Sequence, residues 1–220
     1  MKKKTNYYPE RTLLITLLLS LVFSGFCYSN ISYAADFNQQ VNSIRQAIAR
    51  ENPPLDSDEL NTIIQQCESL LAEEPKSLEV LCLTSICYAL KDDIDTALVF
   101  TTRALEISPD YPDALAFHGF LLYGKSRQEP AYLSETVDTL KKLLTVAPDY
   151  RGPVIQGYSS DITEYMYHLG RAYTEMEDKD SAREVFQQIL QKYPDGRWAP
   201  MAELSLKRLA LPEHNDDVNE

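Results

Sequence analysis

The chain has 220 residues, with 33 acidic against 21 basic side chains, a formal net charge of −12, 44% hydrophobic residues and only 7 glycines. That is the composition of a globular domain or short repeat array that buries about two thirds of its unfolded surface and needs no disulfide or metal staple to fold. The acidity excludes a nucleic-acid binder, because phosphates are held by neutralising them with Lys and Arg, and it disfavours anionic lipid surfaces for the same reason.

The chain opens on Lys2, Lys3, Lys4 and Arg11, followed by an apolar run from Leu13 to Phe26 that only Thr16, Ser20, Ser24 and Gly25 interrupt. Its 14 residues fall short of the roughly 20 needed to cross a bilayer. Ser32 and Ala34, with Ala35 and Asp36 beyond them, complete an export signal over residues 1–34, cut near Ala34/Ala35. An uncleaved anchor is the alternative, and it would leave this N-terminal segment as the sole membrane contact. Lipidation at Cys27 is disfavoured by the bulk of Phe26 before it. In each case the body, residues 36–212, is expected outside the cytoplasm, in the periplasm or envelope. Cleavage removes four basic residues and Glu10, which takes the net charge from −12 to −15.

Residues Asn38 to Arg50 carry Val41, Ile44, Ala47 and Ile48 at helical spacing, until Asn52-Pro53-Pro54 stops the run. Asp58 to Ala72 predicts a second helix, with Ser57 as N-cap and Asp58 and Glu59 in its first turn, so that 57–77 reads as a half or degenerate unit ending near Pro75. Prolines then set a rhythm: Pro75, Pro109, Pro148 and Pro194 each close an amphipathic run, and they lie 34, 39 and 46 residues apart. The glycines of His118-Gly119 and Leu169-Gly170 are 51 apart. Both marks require one 34-residue period with insertions of 5 and 12 residues. The shorter insertion falls in Gly124 to Ala131 and the longer in Arg151 to Ser160, both where helices are expected to turn. The units are therefore 78–111, 112–150 and 163–196, followed by a capping helix over 198–211 through Met201, Leu204, Leu206 and Leu209, and an acidic tail over 213–220.

Leu81, Tyr88, Ala97, Ala104 and Pro109 in the unit 78–111 resemble the tetratricopeptide repeat (TPR), a helix-turn-helix of 34 residues. In 163–196 the resemblance rests on Met166, Leu169, Gly170, Tyr173, Ala182, Phe186, Ile189 and Pro194. The middle unit departs from the pattern, since Thr136 and Leu143 stand where alanines are expected and Arg127-Gln128-Glu129-Pro130 interrupts the turn. The junction from Tyr193 to Ala202 is similar to those of exported bacterial envelope members of the family.

The resemblance implies an all-α, TPR-type helical-hairpin solenoid, a right-handed superhelix of about three repeats with flanking helices. It also implies a concave groove lined by the first helix of each repeat, at Glu79, Cys82, Ile86, Ala89 and Leu90, then Asp113, Ala116, Phe120, Tyr123 and Gly124, then Glu164, Tyr167, Arg171, Thr174 and Glu175. Of these, Ile86, Leu90, Phe120, Tyr123, Tyr167, Arg171 and Glu175 are the candidate partner-binding residues. The aromatics would anchor an extended or helical peptide and Arg171 would pair a carboxylate. Against this, the half-unit's own helices account for Ile86 and Leu90, and packing between neighbouring units accounts for the aromatics. An open groove exposing Phe120, Tyr123 and Tyr167 favours peptide capture, whereas a groove filled by Arg151 to Ser160 favours an architectural role through the outer face.

Catalytic signals are sparse. Cys82 and Cys87 sit about 140° apart around a helix and cannot pair with each other. Cys67, Cys82 and Cys87 are therefore read as buried thiols, with a Cys67 disulfide to one of the other two as the alternative. His118, His168 and His214 have no metal-ligand spacing, and His118 falls at a helix-packing position. No Gly-rich phosphate loop or nucleophile elbow occurs. The expectation is a non-catalytic adaptor or scaffold for a protein or peptide partner, without cofactor or metal; an enzyme is the lesser alternative.

Overall fold

The computed structural model describes residues 34–211. The export signal expected at 1–34, but for Ala34, and the tail at 213–220 lie outside the described residues. Helix α1 spans 34–49 and runs through the division between two compact units, one ending at Ser43 and the other beginning at Ile44. The described part of the first unit is helical throughout.

The second unit continues with α2 (Ser57–Glu73), α3 (Leu78–Leu90), α4 (Ile94–Ile107), α5 (Pro112–Ser126) and α6 (Leu133–Val146), then strands β1 (Arg151–Ile155) and β2 (Tyr158–Asp161), then α7 (Ile162–Glu175), α8 (Lys179–Lys192) and α9 (Ala199–Leu209). Consecutive helices pack as the pairs α3/α4, α5/α6 and α7/α8, with α2 against α3 and α9 against α8. The turns within the first and last pairs are too short for anything but antiparallel hairpins.

Those two turns repeat each other residue for residue. Asp92 and Glu177 both take φ 63°, and in each case the following aspartate N–H reaches back to a tyrosine carbonyl, Asp93 to Tyr88 and Asp178 to Tyr173, at 3.0 Å. This reverse bond satisfies carbonyls that a helix end leaves free. The same aspartates then cap the next helix, accepting from the Thr96 and Ser181 amides at 3.1 Å. Each second helix stops before its proline, α4 at Ile107 ahead of Pro109 and α8 at Lys192 ahead of Pro194, because proline lacks the N–H and clashes with the preceding turn.

The cap of α2 lies one residue earlier than Ser57. Asp56 is extended (φ −84°, ψ 174°) and accepts from the Asp58 and Glu59 amides at 3.0 and 2.9 Å, while Glu59 accepts from the Asp56 amide at 3.1 Å. A carboxylate with a glutamate three residues on makes this reciprocal box, which Ser57 cannot.

Ala97, Ala104 and Ala182 are wholly buried, and at Gly170 a Cβ would come within 2.5 Å of the Phe186 ring. The middle pair holds Thr136 and Leu143 equally buried in place of alanines. Cys67, Cys82 and Cys87 are buried free thiols. Among the described residues no helix is long and apolar enough to cross a membrane.

The two insertions fold differently. The shorter is absorbed by running α5 on to Ser126 and adding a single 3-10 turn at Pro130–Tyr132 before α6. The longer was expected as a turn between helices; it forms instead an antiparallel hairpin, β1 against β2, paired Arg151↔Asp161, Val154↔Ser159 and Ile155↔Tyr158 with an irregularity after Arg151. Its two tip residues, Gln156 (φ 47°) and Gly157 (φ 76°), are both left-handed, the turn whose twist matches a two-residue hairpin.

Candidate functional site

The first helices of the repeats, α3, α5 and α7, pack side by side, and the hairpin crosses the face they share. Pro153, Ile155 and Tyr158 of the hairpin stand opposite Ile86 and Leu90 of α3, Phe117 and Phe120 of α5, and Tyr165 of α7, around a cavity of about 260 Å³. The hairpin tip reaches the end of α1, where the Gln156 amide donates to the Ile48 carbonyl at 2.7 Å and the Gly157 amide to the Ala49 carbonyl at 3.0 Å. These are last-turn carbonyls that the helix itself leaves unbonded.

Three of the seven candidate residues gather at this cavity: Ile86, buried, Leu90, half-buried, and Phe120, 44% exposed at the rim. Tyr123, Arg171 and Glu175 form a neighbouring polar cluster in which the Tyr123 hydroxyl donates to Glu175 Oε1 at 3.2 Å and Arg171 lies 3.4 Å from the same oxygen. Tyr167 is turned inward. Its ring stacks on Trp198 at 4.9 Å and lies 5.7 Å from Phe186, so it fastens α7 to α8 and to the junction before α9.

Two residues at this face were not singled out from the sequence. Tyr158 closes the hairpin onto α7: its hydroxyl donates to Glu164 Oε2 at 2.6 Å, and the Arg197 guanidinium sits 4.4 Å from its ring centroid. Burial, reinforced by the hydrogen-bonded Glu164, pushes the Tyr158 phenol up to about 12. Tyr123 is likewise pushed up to about 12 by burial, opposed by Arg171 and helped by Glu175. Both phenols are thus neutral donors at ordinary pH and serve as struts.

The second is His168, whose ring lies 5.6 Å from Phe120, 4.8 Å from Tyr123 and 5.8 Å from Trp198, with Nε2 3.8 Å from Glu164 Oε1. Among the described residues neither ring nitrogen has a hydrogen-bond partner. The only sequence signal for this pair is the four-residue spacing of Glu164 and His168, which places them on one helix face. Among the described residues no group of three or more His, Cys, Asp or Glu could hold a metal ion. The site is an apolar recess with neutral tyrosine struts, suited to holding an apolar side chain.

Residues 164–196 match the family model of the tetratricopeptide repeat. Solved structures of similar shape include a tetratricopeptide repeat protein from Parabacteroides merdae (15% identity, TM-score 0.58, covering 79% of this chain and 59% of that one) and MamA from Desulfovibrio magneticus RS-1 (17% identity, TM-score 0.58, 80% and 90%). A third is YrrB, described as a TPR protein with an unusual peptide-binding site (16% identity, TM-score 0.53, 67% of each chain). Among curated proteins none matches the sequence. At these identities the likeness is one of fold. The fold is therefore that of a tetratricopeptide-repeat helical array, and residues 164–196 carry one repeat of that family.

Proposed function

We propose that this protein is a non-catalytic interaction module that holds an apolar segment of a partner protein on the face formed by α3, α5 and α7, and that it works outside the cytoplasm. The observation that carries the reading is the recess itself: about 260 Å³ lined by Ile86, Leu90, Phe117 and Phe120, with Phe120 exposed at its edge. A large aromatic at the lip of an apolar recess is the arrangement in which binding energy concentrates. The fold supports the same reading, since stacked helical repeats present extended surfaces to other proteins. The placement outside the cytoplasm, in the periplasm or envelope, rests on the signal-like pattern of residues 1–34.

The second reading is architectural, with the outer face as the contact. By the criterion set from the sequence, the hairpin across the inner face and the burial of Tyr123 and Tyr167 favour it, as does Val99 of α4, which is 55% exposed. Affinity capture from membrane and periplasmic fractions separates the two. The chain is compared with Phe120→Ala and with Val99→Asp, each checked by circular dichroism. Loss of an aromatic anchor that the partner covers costs about 2 kcal/mol or more, a roughly thirtyfold drop in affinity. A partner lost with Phe120→Ala and kept with Val99→Asp supports the inner face, and the reverse pattern supports the architectural role.

A further inference from the structure

The hairpin occupies the face that the interaction reading needs, and its details describe what that face accepts. In β1, Pro153 and Ile155 turn toward the recess while Val154 between them is 42% exposed, the alternation of a strand laid on an apolar surface. The strand pair is held by the two tip amides on α1, by Tyr158 between Glu164 and Arg197, and by a buried hydrogen bond between Ser160 Oγ and the Tyr165 hydroxyl at 2.9 Å. Its fit is incomplete. A recess of about 260 Å³, open to solvent past Phe120, remains between Ile155 and Tyr158 on one side and Ile86, Leu90 and Phe120 on the other. Side chains bulkier than Pro153 and Ile155 would fill it.

We propose that residues 151–161 are a built-in occupant of the groove. The partner is an extended segment of another protein that carries large apolar side chains, of leucine or phenylalanine size, two residues apart, and it enters by displacing the hairpin. The inference rests on the inner-face reading above and adds to it the chemistry of the partner and the segment it competes with. A tethered occupant has a high effective concentration, so the intact chain binds such a segment more weakly than the same chain without its hairpin.

The hairpin can be removed with little strain, because Arg151 and Asp161 already pair across the strands; Gly152–Ser160 is replaced by a single glycine. As a second variant, Gly157→Val unseats the tip without shortening the chain, since φ at Gly157 is 76° and a Cβ there would lie 2.9 Å from Glu51. The probes are two fluorescent peptides in trans: this chain's own Tyr150–Asp161, and the same peptide with Pro153→Leu and Ile155→Leu. Expected is binding by both variants at least tenfold tighter than by the intact chain, with the dileucine peptide preferred, and loss of that binding when Phe120→Asp is added. If the variants, helical by circular dichroism, bind neither peptide, or if intact and hairpin-less chains bind equally in a Phe120-dependent way, the built-in occupant is overturned while the inner-face reading can stand. Binding that Phe120→Asp leaves unchanged removes both.

Discussion

The two insertions make an instructive pair. Each adds residues to a 34-residue period, yet the one after α5 merely lengthens a helix and adds a 3-10 turn, while the one after α6 builds a strand pair that reaches the end of α1. Arg127-Gln128-Glu129-Pro130 is polar, and its proline suits the first position of a tight helical turn. Val154-Ile155 and Tyr158 are β-branched and aromatic residues flanking a Gln156-Gly157 tip that tolerates the left-handed twist. Insertion length matters less than whether the inserted residues have an apolar surface to lie on.

If that contrast holds, truncation at the base of the hairpin has the largest effect. Tyr150 is buried, donates to Asp113 Oδ1 at 2.7 Å and packs edge-on against Tyr165 at 5.6 Å. Tyr150→Ala should therefore cost about 3 kcal/mol in denaturant unfolding, as for other buried aromatics. Tyr158→Phe tests the hairpin's clamp. Losing the bond to the largely buried Glu164 should cost about 1 kcal/mol and raise hydrogen exchange at Gln156 and Gly157, while leaving the α7/α8 amides protected; uniform deprotection would mean that the hairpin is integral to the array.

A pH effect belongs to the middle repeat. His118 lies between Thr101 Oγ1 at 2.8 Å and Glu135 at 3.4 Å, and burial lowers its pKa below the ordinary 6.5, against an opposing pull from Glu135. Below about 6.5 the unfolded chain takes up a proton that the folded chain resists, so stability falls as pH drops from about 6.5 through the lowered value. His118→Gln should flatten that slope in midpoints measured between pH 7 and 5. The smallest effect is at the 3-10 turn, where Pro130→Ala is expected to change stability by no more than about 0.5 kcal/mol; a larger loss would give the short insertion a structural weight like that of the hairpin.

The repeat was legible because its marks are local and periodic. Pro109 and Pro194 stop helices whatever surrounds them, Ala97 and Ala182 are wholly buried between paired helices, and Gly170 leaves room for the Phe186 ring. The site was legible only in part. Family positions name which residues lie on the first helices, and Ile86, Leu90 and Phe120 do meet at the recess. They do not say how deep each side chain sits, so Tyr167 falls in the packing beside Trp198. Tyr158 and His168 owe their roles to Glu164 and to rings from α5, and of those contacts only the four-residue spacing of Glu164 and His168 is visible in the chain.

By itself, then, the sequence determined the helical-hairpin units, the prolines that end them, and the count and location of the extra residues. Each of these follows from backbone geometry within a few turns. Only the tertiary structure decided that the longer insertion is a hairpin lying over the inner face rather than a loop between helices. That choice depends on the hydrogen bonds to Ile48 and Ala49 and on the apolar face that Ile86 and Phe120 present, residues distant in the chain and gathered only in the folded array.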